Sequence, residues 1–218
     1  MTHVLAIIPA RGGSKGIPHK NLALCGGRPL VDWTVKAAED SQRVTDAILS
    51  SDDRDILARA GGSRCVRASI RPAHLAGDDV STEAVLDYHL RMNGGADIVV
   101  LLQPTSPLRT AEHIDEAIAL LEREGADSVV SVVPSHSFLW DASGAPLYGE
   151  RRRRQEMRQY EENGAIYVFT MEHWRRTGNR LGGRVSLYEM GEEHRVQIDT
   201  PMDLAIVSML LERTAVSA

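Results

Sequence analysis

Arg11, Lys15 and Lys20 punctuate a glycine-rich stretch that follows directly on the apolar run Leu5-Ala6-Ile7-Ile8-Pro9. The stretch reads Ala10-Arg11-Gly12-Gly13-Ser14-Lys15-Gly16-Ile17-Pro18-His19-Lys20-Asn21. A buried strand feeding such a turn aims backbone N–H groups and cations at one place, and both favour the oxyanions of a polyphosphate. A tight surface turn with three solvated cations has the same composition. The two common nucleotide loops are excluded. A Walker A loop needs G-x-x-x-x-G-K-[ST] and a dinucleotide fingerprint needs G-x-G-x-x-G, and neither spacing occurs among Gly12, Gly13, Lys15 and Gly16.

A second group is Gln103-Pro104-Thr105-Ser106-Pro107-Leu108-Arg109. Two prolines stiffen it, and it carries an amide, two hydroxyls and a guanidinium. That set suits a polyhydroxylated acid, because the planar fork of arginine matches a carboxylate. The alternative is a proline-rich turn leading into a capping threonine. A third group is Asp199-Thr200-Pro201-Met202-Asp203. Thr200 to Asp203 has the spacing of a capping box, so Asp203 reads as a helix cap. Asp199 lies just outside that helix, where a hard oxygen ligand for Mg²⁺ fits it. The eight histidines show no paired ligand spacing, and no Ser-His-Asp or Cys-His arrangement can be argued from spacing.

These groups need elements to hold them. Residues 4–8 read as a fully buried strand of the kind found in parallel sheets. Helix at 29–40, strand at 47–49 and helix at 54–60 follow. The next helix, capped by Ser81 or Thr82, runs through Met92. Residues 97–102 are the clearest central strand, and Thr110 caps a helix to about Glu124. Strands follow at 128–133, 165–169 and 185–188, with a last helix from Pro201 to about Leu211. Alternating strand and helix implies an α/β fold with a mostly parallel sheet. Ligands then bind beyond the carboxyl ends of the strands. Three polar loops fall there: 11–21, 50–53 and 103–109. Residues 134–162 lose periodicity and carry Arg151-Arg152-Arg153-Arg154, which reads as an arm or lid, or as a solvated charged loop.

At 218 residues with 43% hydrophobic content, residues 1–218 are expected to form one domain with a substantial core. No apolar run approaches the ~18 residues of a membrane span, and the amino end lacks the pattern of a secretory leader. Cys25 and Cys65 are too few for a disulfide framework, and a cytoplasmic setting is expected. A net charge of −5 argues against nucleic acid as a partner, while a local cationic cleft still admits a small anion.

The stretch from Ile8 to Leu22 resembles the signature loop of the acylneuraminate cytidylyltransferases, the CMP-sialic acid, CMP-legionaminate and CMP-nonulosonate synthetases. Four further segments resemble family elements in family order: Arg71-Pro72-Ala73-His74-Leu75-Ala76-Gly77-Asp78, Gln103 to Arg109, Asn163-Gly164-Ala165-Ile166-Tyr167, and Asp199-Thr200. The resemblance implies a three-layer α/β/α nucleotidyltransferase domain with a protruding substrate and dimerisation arm at 134–162. It implies CMP transfer from CTP to a nonulosonic acid, with Mg²⁺ or another divalent cation and a homodimer or higher homo-oligomer; the alternatives are another acidic acceptor, such as an octulosonic acid or a phosphonate, and a non-catalytic nucleotide-binding module. Ala10, Arg11, Gly12, Gly13, Ser14, Lys15, Lys20, Asn21, Arg71 and Thr82 would hold the nucleotide. Gln103, Thr105, Ser106, Arg109, Asn163 and Gly164 would hold the sugar. Arg11, Lys15 and Asp199 would act in catalysis, with Asp199 holding the metal. The chain departs from the family's D-x-D-T element at Gln197. One metal ligand is therefore missing, supplied by water, or supplied by another acid such as Asp52 or Asp78.

Overall fold

The structure is a computed structural model that describes residues 2–216. Among the described residues nine strands form: β1 (Val4–Pro9), β2 (Leu24–Cys25), β3 (Arg28–Pro29), β4 (Asp46–Ser51), β5 (Val66–Ile70), β6 (Ile98–Leu102), β7 (Ser128–Ser135), β8 (Gln159–Thr170) and β9 (Val185–Glu189). Six helices accompany them: α1 (Leu30–Asp40), α2 (Arg54–Leu57), α3 (Thr82–Met92), α4 (Ala111–Glu124), α5 (Met171–Thr177) and α6 (Pro201–Val216). Seven strands make one sheet in the order β5-β4-β1-β6-β8-β7-β9, and β2 and β3 form a small hairpin. Only β8 runs antiparallel to its neighbours, so the sheet is mostly parallel, as the alternation of elements predicts.

Side chains alternate across the sheet, and both faces are covered. Val4, Ala6 and Ile8 of β1 enter one core with Val31, Val35, Ile114 and Ile118 of α1 and α4. Leu5 and Ile7 enter the opposite core with Leu86 and Leu90 of α3 and Met171 and Trp174 of α5. This double burial is why β1 and β6 read as unbroken apolar runs. A third cluster joins Ile17, Cys25 and Leu30 to Ile198, Val207 and Leu211, and ties α6 beneath the first loop.

The chain steps outward from β1 to β4 to β5, then returns to the far side of β1 as β6. The loops leaving β1 and β6 therefore diverge, and the crevice between them is a topological switch point. Residues 134–162 divide differently from the expected arm. β7 continues through Ser135 and β8 begins at Gln159, so a β-stem carries an irregular segment, 136–158. Besides the short hairpin of β2 and β3, β5 and α5 had no sequence expectation. β5 is an edge strand with only Val66 buried, so its polar residues concealed it. α5 is too short for a periodic signal. Among the described residues, no helix is long and apolar enough to cross a membrane.

Candidate active site

The loop after β1 is held open by backbone contacts made at a distance in sequence. A Cβ on Gly16 would collide with the Asp199 carbonyl oxygen, so only glycine lets the two segments touch. A Cβ on Gly12 would stand 2.9 Å from the Asp53 Cβ. The Gly12 N–H donates to Asp52 Oδ1 at 2.9 Å, and Asn21 Nδ2 donates to the Arg11 carbonyl at 2.9 Å. His19 adopts the left-handed conformation with φ 48°, unusual for a residue with a side chain, immediately before Lys20. Lys20 then reaches across the switch point. Its Nζ donates to the Ile198 carbonyl at 2.8 Å and to Asp199 Oδ1 at 2.9 Å.

A cavity of about 300 Å³ opens at this point. Arg11, Lys20, Asn21, Arg71, Thr82, Gln103 and Thr105 line it, together with Asp78 and the apolar Leu75, Val80 and Val85. The first and third polar loops thus meet at the cavity, while the second, 50–53, does not line it and instead binds Gly12 through Asp52 and Arg71 through Ser50. Lys15 joins from the mouth. Asp78 bridges Lys15 at 3.0 Å and Arg11 at 2.7 Å. The Lys15 ammonium, by its hydrogen bond, and then both cations by charge, hold the Asp78 carboxyl below the usual aspartate range.

Arg71 differs from the other cations. It is buried, and its guanidinium binds the hydroxyl and carbonyl of Ser50 rather than a carboxylate. Burial pushes its pKa down, Asp52 partly opposes that, and Arg11 adds to it. A buried cation without a contacting anion is costly, and an incoming anion relieves the cost.

Several expected site residues stand elsewhere. Ala10 is fully buried in the core, and its N–H donates to the Ser50 carbonyl at 2.9 Å. Gly13 and Ser14 lie on the loop without lining the cavity. Ser106, Arg109 and Asn163 face inward. Arg109 Nη1 donates to the carbonyls of Gln103 at 3.2 Å and Ala165 at 3.1 Å, and its Nη2 donates to Thr34 Oγ1 at 2.6 Å. Burial takes its pKa down to about 9. Ser106 Oγ donates to the Asn163 carbonyl at 3.0 Å, and Asn163 Oδ1 accepts from Ser131 Oγ at 2.6 Å. These side chains brace the shelf instead of presenting it to a ligand. A polar label in sequence does not reveal which way a side chain turns.

Gly164 has φ 66°, and a Cβ there would collide with Gln197 Oε1 and come within 2.9 Å of Gln103 Oε1. The Gln197 amide therefore lies on the acceptor shelf beside Gln103, a placement its position in the motif did not reveal. Asp199 presents an exposed carboxylate beside Lys20. Among the described residues no three His, Cys, Asp or Glu side chains gather as a metal site. Asp203 caps α6, accepting from the Thr200 N–H and hydroxyl, each at 2.8 Å. The irregular segment 136–158 displays Leu139, Trp140 and Leu147 to solvent, and Arg151 stacks on Phe138 at 4.7 Å.

A family model described as cytidylyltransferase matches residues 5–216. N-acylneuraminate cytidylyltransferase A of Danio rerio is 33% identical over 97% of this chain and 51% of its own length. The N-acylneuraminate cytidylyltransferase of Escherichia coli is 30% identical over 97% of this chain and 53% of its own. The chain spans about half the length of the curated relatives it matches. Among solved structures, a CMP:2-keto-3-deoxy-manno-octonic acid synthetase complexed with CTP superposes with a TM-score of 0.75 at 16% identity. It covers 98% of this chain and 100% of that one. A 4-diphosphocytidyl-2C-methyl-D-erythritol synthase from Anaerococcus prevotii gives 0.71 at 15% identity, covering 97% and 99%. At those identities the two likenesses speak to the fold.

Proposed function

Because the chain belongs to the cytidylyltransferase family, we propose that it transfers CMP from CTP to the anomeric hydroxyl of a nonulosonic acid, releasing pyrophosphate. The observation that carries this reading is Arg71. A buried guanidinium with no carboxylate in contact among the described residues lines the same cavity as Arg11 and Lys20, and a polyphosphate is the ligand that its charge and setting favour. The relatives' identity of about one third over nearly the whole chain supports the sialic-type acceptor.

In this reading the triphosphate displaces Asp78 from Arg11 and Lys15, exchanging an exposed internal ion pair for a stronger one with the ligand. The cytidine lies toward Thr82 and Val85, and the acid sugar lies along Gln103, Thr105 and the Gly164 turn. The sugar hydroxyl attacks the α-phosphorus and gives up its proton to solvent, as the bond from that phosphorus to the bridging oxygen breaks and pyrophosphate leaves, so positioning and charge neutralisation supply the catalysis. Asp199, an exposed hard oxygen donor at the rim of the cavity, would hold Mg²⁺. When bound, Mg²⁺ would neutralise charge on the phosphate oxygens. Arg109, Ser106 and Asn163 act by holding the shelf rigid. The stem at 134–162, with Leu139, Trp140 and Leu147 exposed at its end, supports a homodimer in which the arm meets a second copy. The setting we propose is cytoplasmic, where CTP is available.

Pyrophosphate release tests the proposal. With CTP and Mg²⁺, a sialic-type nonulosonic acid should give turnover well above an octulosonic acid. Turnover with the octulosonic acid alone would reassign the acceptor. CTP binding without release for any acid would make the chain a binding module.

A further inference from the structure

Arg71 enters the cavity as a long side chain, and what lies behind it decides where it points. Its Nε donates to Ser50 Oγ at 3.2 Å and its Nη2 to the Ser50 carbonyl at 3.0 Å. Ser50 Oγ in turn lies 2.7 Å from Nε2 of His89. A guanidinium only donates, and a hydroxyl has one proton to give. Ser50 Oγ accepts from Arg71 and keeps one proton of its own, which a neutral His89 ring carrying its proton on Nδ1 accepts at Nε2. With that tautomer the chain of bonds has one polarity throughout, from Arg71 through Ser50 to His89; with the other, both neighbours donate to Ser50.

All three residues are enclosed, with Ser50 0%, His89 1% and Arg71 5% exposed. Burial first, then the charges of Arg71 and Arg67, take the His89 pKa down to about 4, which keeps the ring neutral across the physiological range. His89 also stands where α3 can carry the effect. Thr82 and Val85 line the cavity, and Val85 and His89 fall one turn apart on the same helix face. The Ser50 carbonyl accepts from the Ala10 N–H as well as from Arg71. Ser50 is therefore the point at which the first loop and the buried cation are fixed to each other.

We infer that His89 is a positioning residue for the nucleotide site: as a neutral acceptor it commits the Ser50 hydroxyl to Arg71 and so aims the remaining edge of the guanidinium at the ligand's phosphates. The inference rests on reading the cavity as a CTP site. It goes further by assigning a role to a histidine whose sequence position suggested none and which touches no ligand.

The test compares wild type with His89→Phe, His89→Gln and Ser50→Ala, measuring CTP affinity by calorimetry, steady-state kinetics and Tm. His89→Phe removes the acceptor and should weaken CTP binding and raise its KM about tenfold, with kcat within about twofold. His89→Gln offers a carbonyl oxygen near the Nε2 position and should stay within about threefold of wild type. Ser50→Ala should match His89→Phe, and the double variant should lose nothing more. Ser50→Ala also reads the same link should His89→Phe fail to fold. Unchanged CTP affinity in folded His89→Phe, or equal losses in His89→Phe and His89→Gln tracking Tm alone, would overturn the inference. Wild-type protein that binds no CTP would overturn the reading of the cavity. Wild type that binds CTP without turnover would overturn only the catalytic reading, while the affinity series still decides the role of His89.

Discussion

The nucleotide cavity and the acceptor shelf share one rim of the sheet, yet they use polar residues in opposite ways. Around the cavity the cations are held without buried anions, and those at its mouth loosely. Lys15 and Arg11 share the exposed Asp78, Lys20 holds Asp199 at the surface, and Arg71 has no carboxylate in contact among the described residues. On the shelf the polar groups are consumed by the protein. Arg109 serves two loop carbonyls and Thr34, and Asn163 serves Ser131 and the loop itself. Ligand recognition leaves charge without an anion until the ligand arrives, whereas rigidity spends most donors beforehand, the buried Arg109 Nε being left over. The two regions should therefore respond to mutation in opposite currencies, activity for one and stability for the other.

The largest effect expected is at Arg71. Arg71→Met removes the buried cation and its pull on the triphosphate. The kcat/KM for CTP should fall about 10³-fold, in line with loss of a charge-assisted contact in a dry site. Tm should hold or rise, because an uncompensated buried charge is removed at the same time. Steady-state kinetics and differential scanning calorimetry on one preparation check both halves. A fall in Tm with activity per folded molecule preserved would erase the contrast between the two regions.

Arg109→Met should show the reverse. It strips donors from buried carbonyls and from Thr34 while removing a charge whose burial was itself unfavourable. A net loss of about 3 kcal/mol follows, equivalent to roughly 9 °C in Tm for a chain of this size. The surviving folded enzyme should keep most of its kcat below the transition. Intact Tm with abolished turnover would move Arg109 from the shelf to the ligand.

The contrast also explains what the amino-acid sequence disclosed. Buried strands and amphipathic helices announced themselves by period, because β1, β6 and α4 are covered in ways that force apolar residues into register. The loop residues were equally visible as residue types, although distant contacts with Ile198 and Asp199 are what require Gly16 and place Lys20. Direction was not visible. Arg109 and Arg71 are both buried arginines beside prolines in polar loops, and only the tertiary arrangement turns one inward and leaves the other on the cavity. Nor did the spacing reveal that Ser50 and His89 support Arg71, because those contacts join three separate elements. The edge strand β5 and the short helix α5 were missed for lack of a buried face long enough to impose a pattern.

A smaller effect tests the loosely held cations. Asp78→Asn removes the negative charge that Arg11 and Lys15 share without changing its size. CTP should then bind about threefold more tightly at low ionic strength, a modest gain because the pair is exposed and screened. The difference should shrink as salt is raised. Titration calorimetry at two salt concentrations checks it, and weaker binding by Asp78→Asn would mean that Asp78 serves the ligand directly.

The smallest effect is a pH dependence of stability set by His89. Its pKa lies near 4 in the folded chain, against about 6.5 when unfolded. Above the unfolded value neither state binds the proton, and the full stability is present. As pH falls below 6.5 the unfolded chain takes up a proton that the native ring refuses, so stability declines. The decline levels off near 4, where the native ring also protonates and the bond from Ser50 is lost. His113 and His194 are likewise lowered, burial being the first cause for each, and they add to the same window. The lowered carboxyls of Asp78 and Asp203 act only below the ordinary aspartate range and leave this window to the histidines. Tm measured at about pH 7 and about pH 4.5 should fall by a few degrees in wild type and by less in His89→Gln, whose side chain has no proton to accept. An equal fall in both proteins would place the pH dependence wholly on the His113 and His194 pair, on the far side of the shelf from Arg71.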